Sequence, residues 1–129
     1  MANFRNQQLQ TARVYKFPKS SRLLKRSQFQ KVSRHGKRLF CHMCCIHYLA
    51  YNKVTSPKLG ITVTKKFGNA VTRNKFKRKV RDIFRHHSHI LDPTLQLNIR
   101  PILKHDQIKY TELESDILKG FNQLKIDRH

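Results

Sequence analysis

The first acidic residue of this chain is Asp82: residues 1–81 hold 21 of its 28 Lys+Arg and no carboxylate, while residues 82–129 hold seven of each sign. A segment without carboxylates cannot neutralise itself through internal ion pairs. Its cations must face solvent or an external polyanion, and a formal net charge of +21 disfavours any compact state by self-repulsion. Two forms satisfy this constraint. One is a disordered basic tail, the other a set of amphipathic elements with cations on one face and apolar side chains on the other.

Composition permits the second form. Leu, Ile, Val and Phe make up 36 of 129 residues, about 28% and above the roughly 20% that marks highly charged disordered chains. No apolar run approaches the roughly 18 residues of a membrane span, and the N-terminus lacks the order of a signal peptide. A cytoplasmic protein with no membrane partner is expected, and nucleic acid precedes anionic lipid as the polyanion.

Residues 1–19 are basic, aperiodic and closed by Pro18, which predicts a flexible arm. Ser27 reads as the N-cap of a short helix with Phe29 and Val32 on one face and Gly36 as its stop. Leu39 to Tyr51 and Leu59 to Phe67 read as two extended runs joined by turn residues 52–57, the pattern of a hairpin. In the second run Leu59, Ile61 and Val63 alternate with Gly60, Thr62 and Thr64, which predicts one core face and one small, hydroxyl-bearing outer face.

After Gly68-Asn69 a helix is expected to extend to about His87, with Asn69 near its cap. Phe76, Val80, Ile83 and Phe84 form an apolar stripe at helical spacing, opposite Asn74, Lys77, Arg78, Arg81 and Arg85, with Arg73 at the border. Nine Lys+Arg between Lys65 and Arg85 stand against the single Asp82, so the densest cation cluster is predicted to be folded. Leu95, Leu97 and Ile99 alternate again, and Pro101 suggests an edge strand or an early end. Thr111 and Glu114 spell a capping box for a last helix carrying Leu113, Ile117, Phe121 and Leu124. The order of elements predicts an α+β or α/β sandwich of about 105 residues, with a domain over 20–125 and a tail over 126–129.

Cys41, Cys44 and Cys45 invite a zinc or redox reading, but strand alternation would put Cys41 and Cys44 on opposite faces, so no metal ligands are expected there. The histidines at 86, 87 and 89 are read as a polar helix end near phosphates.

Cations at i, i+4 and i+7 on a rigid helix can meet phosphates without the ordering cost of a tail. Asn74 adds an amide able to donate and accept at a sugar or base edge. Thr62 and Thr64, beside Lys65, Lys66, Phe29 and Tyr48, could form a groove for a single strand. No catalytic residue is expected, because no carboxylate pair exists in the basic half to hold two metals. From these residues alone, a ribosomal-type RNA-binding protein, an RNA chaperone and an autonomous nuclease stay open.

The run from Lys65 to Arg81, Lys-Lys-Phe-Gly-Asn-Ala-Val-Thr-Arg-Asn-Lys-Phe-Lys-Arg-Lys-Val-Arg, closely resembles the signature of the bacterial ribonuclease P protein subunit family. Phe17-Pro18, Arg22-Leu23-Leu24, Ser27-Gln28-Phe29 and Leu59-Gly60-Ile61-Thr62-Val63 extend the likeness, which covers about residues 17–124. The resemblance implies an α-β sandwich with a mixed four-stranded sheet and a left-handed βαβ crossover, like domain 2 of ribosomal protein S5. It implies a partner of a catalytic RNA that removes the 5′ leader of precursor tRNA, with Mg²⁺ held mainly by the RNA and no obligate protein partner. It assigns RNA contact to Arg73, Asn74, Lys75, Lys77, Arg78 and Arg81 and a leader cleft to Phe29, Thr62, Thr64, Lys66 and Ala70; the reading of the residues adds Lys65 and Lys66 to the RNA contact and Tyr48 to the cleft. Three departures from the family pattern stand out. Lys75 stands where Arg is usual, Ser33 where an aromatic residue is frequent, and Arg100-Pro101 within a normally apolar strand, which predicts a shortened or bulged strand.

Overall fold

A computed structural model describes residues 19–51 and 53–127; the arm predicted before Lys19 and the turn residue Asn52 lie outside the described residues. Lys19–Ser21 form a single 3-10 turn. Helix α1 follows at Arg26–His35. Ser27 lies inside its first turn and does not cap it. The Gln28 side chain reaches back instead, accepting from the N–H groups of Leu24 at 2.7 Å and Lys25 at 2.9 Å. Gly36 ends the helix as expected, its N–H donating to the Val32 carbonyl at 2.9 Å. A side chain is excluded there, because a Cβ would sit 2.4 Å from the Val32 oxygen and 2.5 Å from the Tyr48 oxygen.

The sheet comprises β1 (Lys37–Phe40), β2 (Cys44–Ala50), β3 (Lys58–Ile61) and β4 (Leu95–Pro101) in the order β1-β2-β4-β3. The expected hairpin between the runs Leu39–Tyr51 and Leu59–Phe67 does not form. The hairpin is β1-β2, turning through Cys41–Met43, and β3 pairs parallel with β4 on the far edge. β4 is therefore internal, between β2 and β3. Pro101 is tolerated there because the Thr62 N–H donates to the Ile99 carbonyl, which points Ile99, and by alternation Pro101, toward β3. β3 stops opposite Ile99, so the missing N–H of Pro101 interrupts no ladder. The strand is neither shortened nor an edge: it pairs with β2 through Pro101.

Helix α2 (Ala70–His87) is the crossover from β3 to β4, and helix α3 (Tyr110–Asp127) closes the chain. Asn69 caps α2, its Oδ1 accepting from the Thr72 N–H at 2.9 Å. Phe76, Val80, Ile83 and Phe84 are all buried as the stripe predicts, each contributing about 1.5–3 kcal/mol by burial. That apolar anchorage is what holds so cationic a helix in place. In α3, Leu113, Ile117, Phe121 and Leu124 are buried. The capping box does not operate, because the helix starts at Tyr110 and makes Thr111 its second residue. α2 and α3 pack on one sheet face with Ile46, Leu97 and Ile99; α1 packs on the other, laying Phe29 over Gly60. The result is an α+β sandwich with a mixed four-stranded sheet and three helices.

Candidate nucleic-acid interface

Asn74, Arg78, Arg81 and Arg85 recur at i, i+4, i+7 and i+11 and so share one stripe of α2. With Arg22 they line a groove of about 480 Å³. The chain just before α1 delivers Arg22 to the groove: Arg22 bridges to Leu59, and the Leu23 N–H donates to the Leu59 carbonyl at 3.0 Å, extending the β3 edge. Burial, with Arg22 and Arg85 pushing the same way, lowers the proton affinity of Arg81. Four guanidiniums and an amide converge here beside one carboxylate, Asp82, which is already engaged by Arg85. Such a groove is matched to an anion with several oxygens.

The eight residues assigned to RNA contact do not form one patch. Asn74, Arg78 and Arg81 meet in the groove. Lys75 turns toward α3, its Nζ 4.6 Å from the centre of the Tyr110 ring, in a second cleft that Arg78 also lines. Arg73 and Lys77 are half-buried on the flanks, and Lys65 and Lys66 are exposed on the turn before α2.

A second surface lies on the sheet face under α1. Thr62 Oγ1 and the Asn98 side-chain amide hydrogen-bond at 3.0–3.2 Å. Arg100 Nε donates to His47 Nε2 at 3.2 Å, and Arg38 lies opposite His47 in the register. Burial first, then the charges of Arg100 and Arg38, holds the His47 imidazole below its ordinary range. Burial raises the Cys45 thiol, which the same two arginines partly offset. Phe29 is half-buried at one end of this face, its ring occupying the space a Cβ on Gly60 would take. Phe40, 62% exposed, stands opposite Cys45 on the same face.

Of the residues assigned to a leader cleft, Phe29 and Thr62 share this face. Thr64 and Ala70 are exposed further on, beyond the end of β3, which stops at Ile61 and not near Phe67. Tyr48 does not belong to it. It pairs with Leu97 and packs against the core on the opposite face, because alternation from Ile46 sends His47 outward and Tyr48 inward. Arg22, Arg38, Phe40, His47, Asn98 and Arg100 also belong to these surfaces, and sequence pattern alone does not assign them there. The alternation was visible from Ile46 onward, but which strands were neighbours was not.

Two of the clustered histidines are engaged within the protein. His86 Nδ1 contacts the Asp82 carbonyl at 2.7 Å, and His87 pairs with Glu114 at 3.4 Å. The alternation argument for the cysteines fails: Cys41 lies at the β1-β2 turn and not within a strand, so its sulfur converges with that of Cys44. Among the described residues no helix is long and apolar enough to cross a membrane.

Comparison with known proteins gives a consistent picture. The family model described as Ribonuclease P matches residues 17–125. The chain is 44% identical over 99 residues to the ribonuclease P protein component of Chlamydia abortus, covering 77% of this chain and 70% of the relative. It is 41% identical over 96 residues to that of Staphylococcus carnosus, covering 74% and 81%. The fold is similar to the RNase P protein of Thermotoga maritima, with a TM-score of 0.71 and 26% identity over 79% of this chain and 96% of the other. The Staphylococcus aureus RNase P protein, at 22% identity, shares the fold with a TM-score of 0.72 over 81% and 94%.

Proposed function

The chain belongs to the ribonuclease P protein family, and from that premise we propose that the arginine groove of α2 is where it grips the catalytic RNA. As a family member it is the protein subunit of ribonuclease P, a ribonucleoprotein whose catalytic activity belongs to the RNA subunit; RNA binding and tRNA 5′ maturation follow from that role. The observation that carries the groove reading is the convergence of Arg22, Arg78, Arg81 and Arg85 around Asn74. Guanidiniums fork phosphate oxygens in pairs, and the amide can address a ribose hydroxyl between them.

In this reading the second surface receives the single-stranded leader of precursor tRNA, in the cytoplasm. Phe29 and Phe40 offer ring faces for bases, Arg38 and Arg100 track phosphates, and the Thr62–Asn98 pair offers hydrogen bonds between them. Thr64, Lys65, Lys66 and Ala70 continue the path toward α2. The residues do not form a Mg²⁺ site of their own on these faces: the carboxylate beside the groove, Asp82, is held by Arg85, and a hard dication needs several free oxygens. Mg²⁺ is therefore assigned to the RNA. The test is leader cleavage by the assembled particle with Arg22→Ala and Arg81→Ala proteins. The reading expects weakened assembly that excess protein rescues, and unchanged assembly would move the contact elsewhere.

A further inference from the structure

Away from the interface, the turn between β1 and β2 carries the sequence Cys41-His42-Met43-Cys44, a Cys-x-x-Cys spacing. Helix α3 supplies a third group from 72 residues away. The Asp116 side chain, only 6% exposed, lies under the turn. Its Oδ1 accepts from the His42 N–H at 2.9 Å and its Oδ2 from the Met43 N–H at 3.0 Å, with Cys44 Sγ 4.0 Å from Oδ2. The ligand atoms of Cys41, Cys44 and Asp116 all lie within 4.8 Å of one another.

From this geometry we infer that Cys41, Cys44 and Asp116 form a binding site for one thiophilic divalent cation of the zinc class. Tetrahedral zinc with bonds of about 2.3 Å to sulfur and 2.0–2.2 Å to oxygen sets ligand–ligand edges of about 3.5–3.8 Å. Closing from 4.8 Å or less shortens each separation by about 1.3 Å at most. The backbone donors that hold Asp116 supply the orientation a ligating carboxylate needs. Gly120, one turn along α3, leaves the room: a Cβ there would press to 2.9 Å from Cys41 Sγ. A cleft lined by Phe40, Cys41, His42, Asp116 and Lys119 gives solvent access. The fourth position falls to water.

Two sulfurs and one carboxylate select against Mg²⁺, which takes oxygen ligands in octahedral geometry. Binding replaces the thiol protons of Cys41 and Cys44 by the cation and releases them to solvent. The bound ion cross-links the β1-β2 turn to α3. The site is independent of the RNA-binding reading and needs no part of the groove.

The experiment uses the full chain, reduced and kept anaerobic, titrated with Co²⁺ and then with Zn²⁺ against a chromophoric chelator. The expected result is one equivalent bound, with a thiolate-to-cobalt absorption band that Zn²⁺ bleaches. Cys45→Ser, whose sulfur lies on the opposite face, keeps the band. Cys41→Ser loses more than about 100-fold in affinity, beyond the 10–100-fold that loss of a supporting residue costs, and Asp116→Asn weakens binding while both sulfurs still give a band. Circular dichroism identifies any variant that fails to fold, and the Cys41→Ser comparison, at a half-buried turn position, carries the conclusion. Absence of the band in the parent chain, or equal affinity in Cys41→Ser, would overturn the site. So would formation of a Cys41–Cys44 disulfide with glutathione disulfide in a protein that retains no zinc.

Discussion

Phe29 shows how a single side chain takes on two tasks. Its inner edge fills the space over Gly60 and its outer part stays half-exposed, so it packs the sheet face and, in the proposed reading, offers a ring face to a base of the leader. Phe29→Ala is expected to cost about 1–3 kcal/mol in affinity for leader-bearing substrate if a base stacks there, measured as the ratio of precursor to mature tRNA binding, with circular dichroism unchanged. Gly60→Ala tests the same packing from below: a Cβ 2.4 Å from the ring must displace Phe29, and the same fall in discrimination is expected without removing the aromatic group. His47 yields a pH prediction. Its folded-state affinity for protons lies below the ordinary value of 6.5, so the unfolded chain binds more protons in that window. Its contribution to stability is present above pH 6.5 and lost as pH falls through the folded value. Denaturation midpoints of the parent chain should fall between about pH 7.5 and about pH 5.5 more than those of His47→Gln; parallel curves would remove His47 from the account. Phe29 was legible in the sequence as an apolar residue with two readings. The turn to the core of Tyr48 was not, because its direction depends on a register set by β1 and β4.

At the scale of elements, α2 was legible almost completely. Its Asn69 cap and its Phe76, Val80, Ile83 and Phe84 stripe depend only on local spacing. The cap predicts that Asn69→Ala destabilises the protein by about 0.5–2 kcal/mol, read from the urea midpoint. The cationic stripe predicts that Arg81→Ala lowers the log–log salt slope of RNA binding by about 0.7–0.9, the share of one phosphate that is no longer neutralised. An unchanged slope would place Arg81 off the interface. Strand partners were not legible, since pairing is a long-range choice: β3 reads as the continuation of a hairpin from β2, yet it needs the α2 crossover to reach its place beside β4. Arg22, noted only as part of a motif, was not assigned to the groove for the same reason, its position being set by a bridge to Leu59 and not by any helix it belongs to.

For the molecule as a whole, the separation of charge along the sequence becomes a division of labour in space. The acid-free half supplies α1, three of the four strands and most of α2, including four of the five groove residues, with Arg85 the fifth. The balanced half supplies β4 and α3, whose carboxylates work inside the protein: Asp116 under the β1-β2 turn and Glu114 with His87. A subunit built this way presents cations and hydrogen-bonding groups outward and leaves catalysis to its RNA. The most direct test of that division is leader removal from precursor tRNA at low Mg²⁺, with protein alone, with the matching catalytic RNA alone, and with both. The account predicts negligible cleavage by protein alone, slow cleavage by RNA, and a marked rise when they are combined that Arg81→Ala diminishes at limiting protein. Mg²⁺-dependent cutting by the protein alone, or no stimulation of a competent RNA, would contradict it.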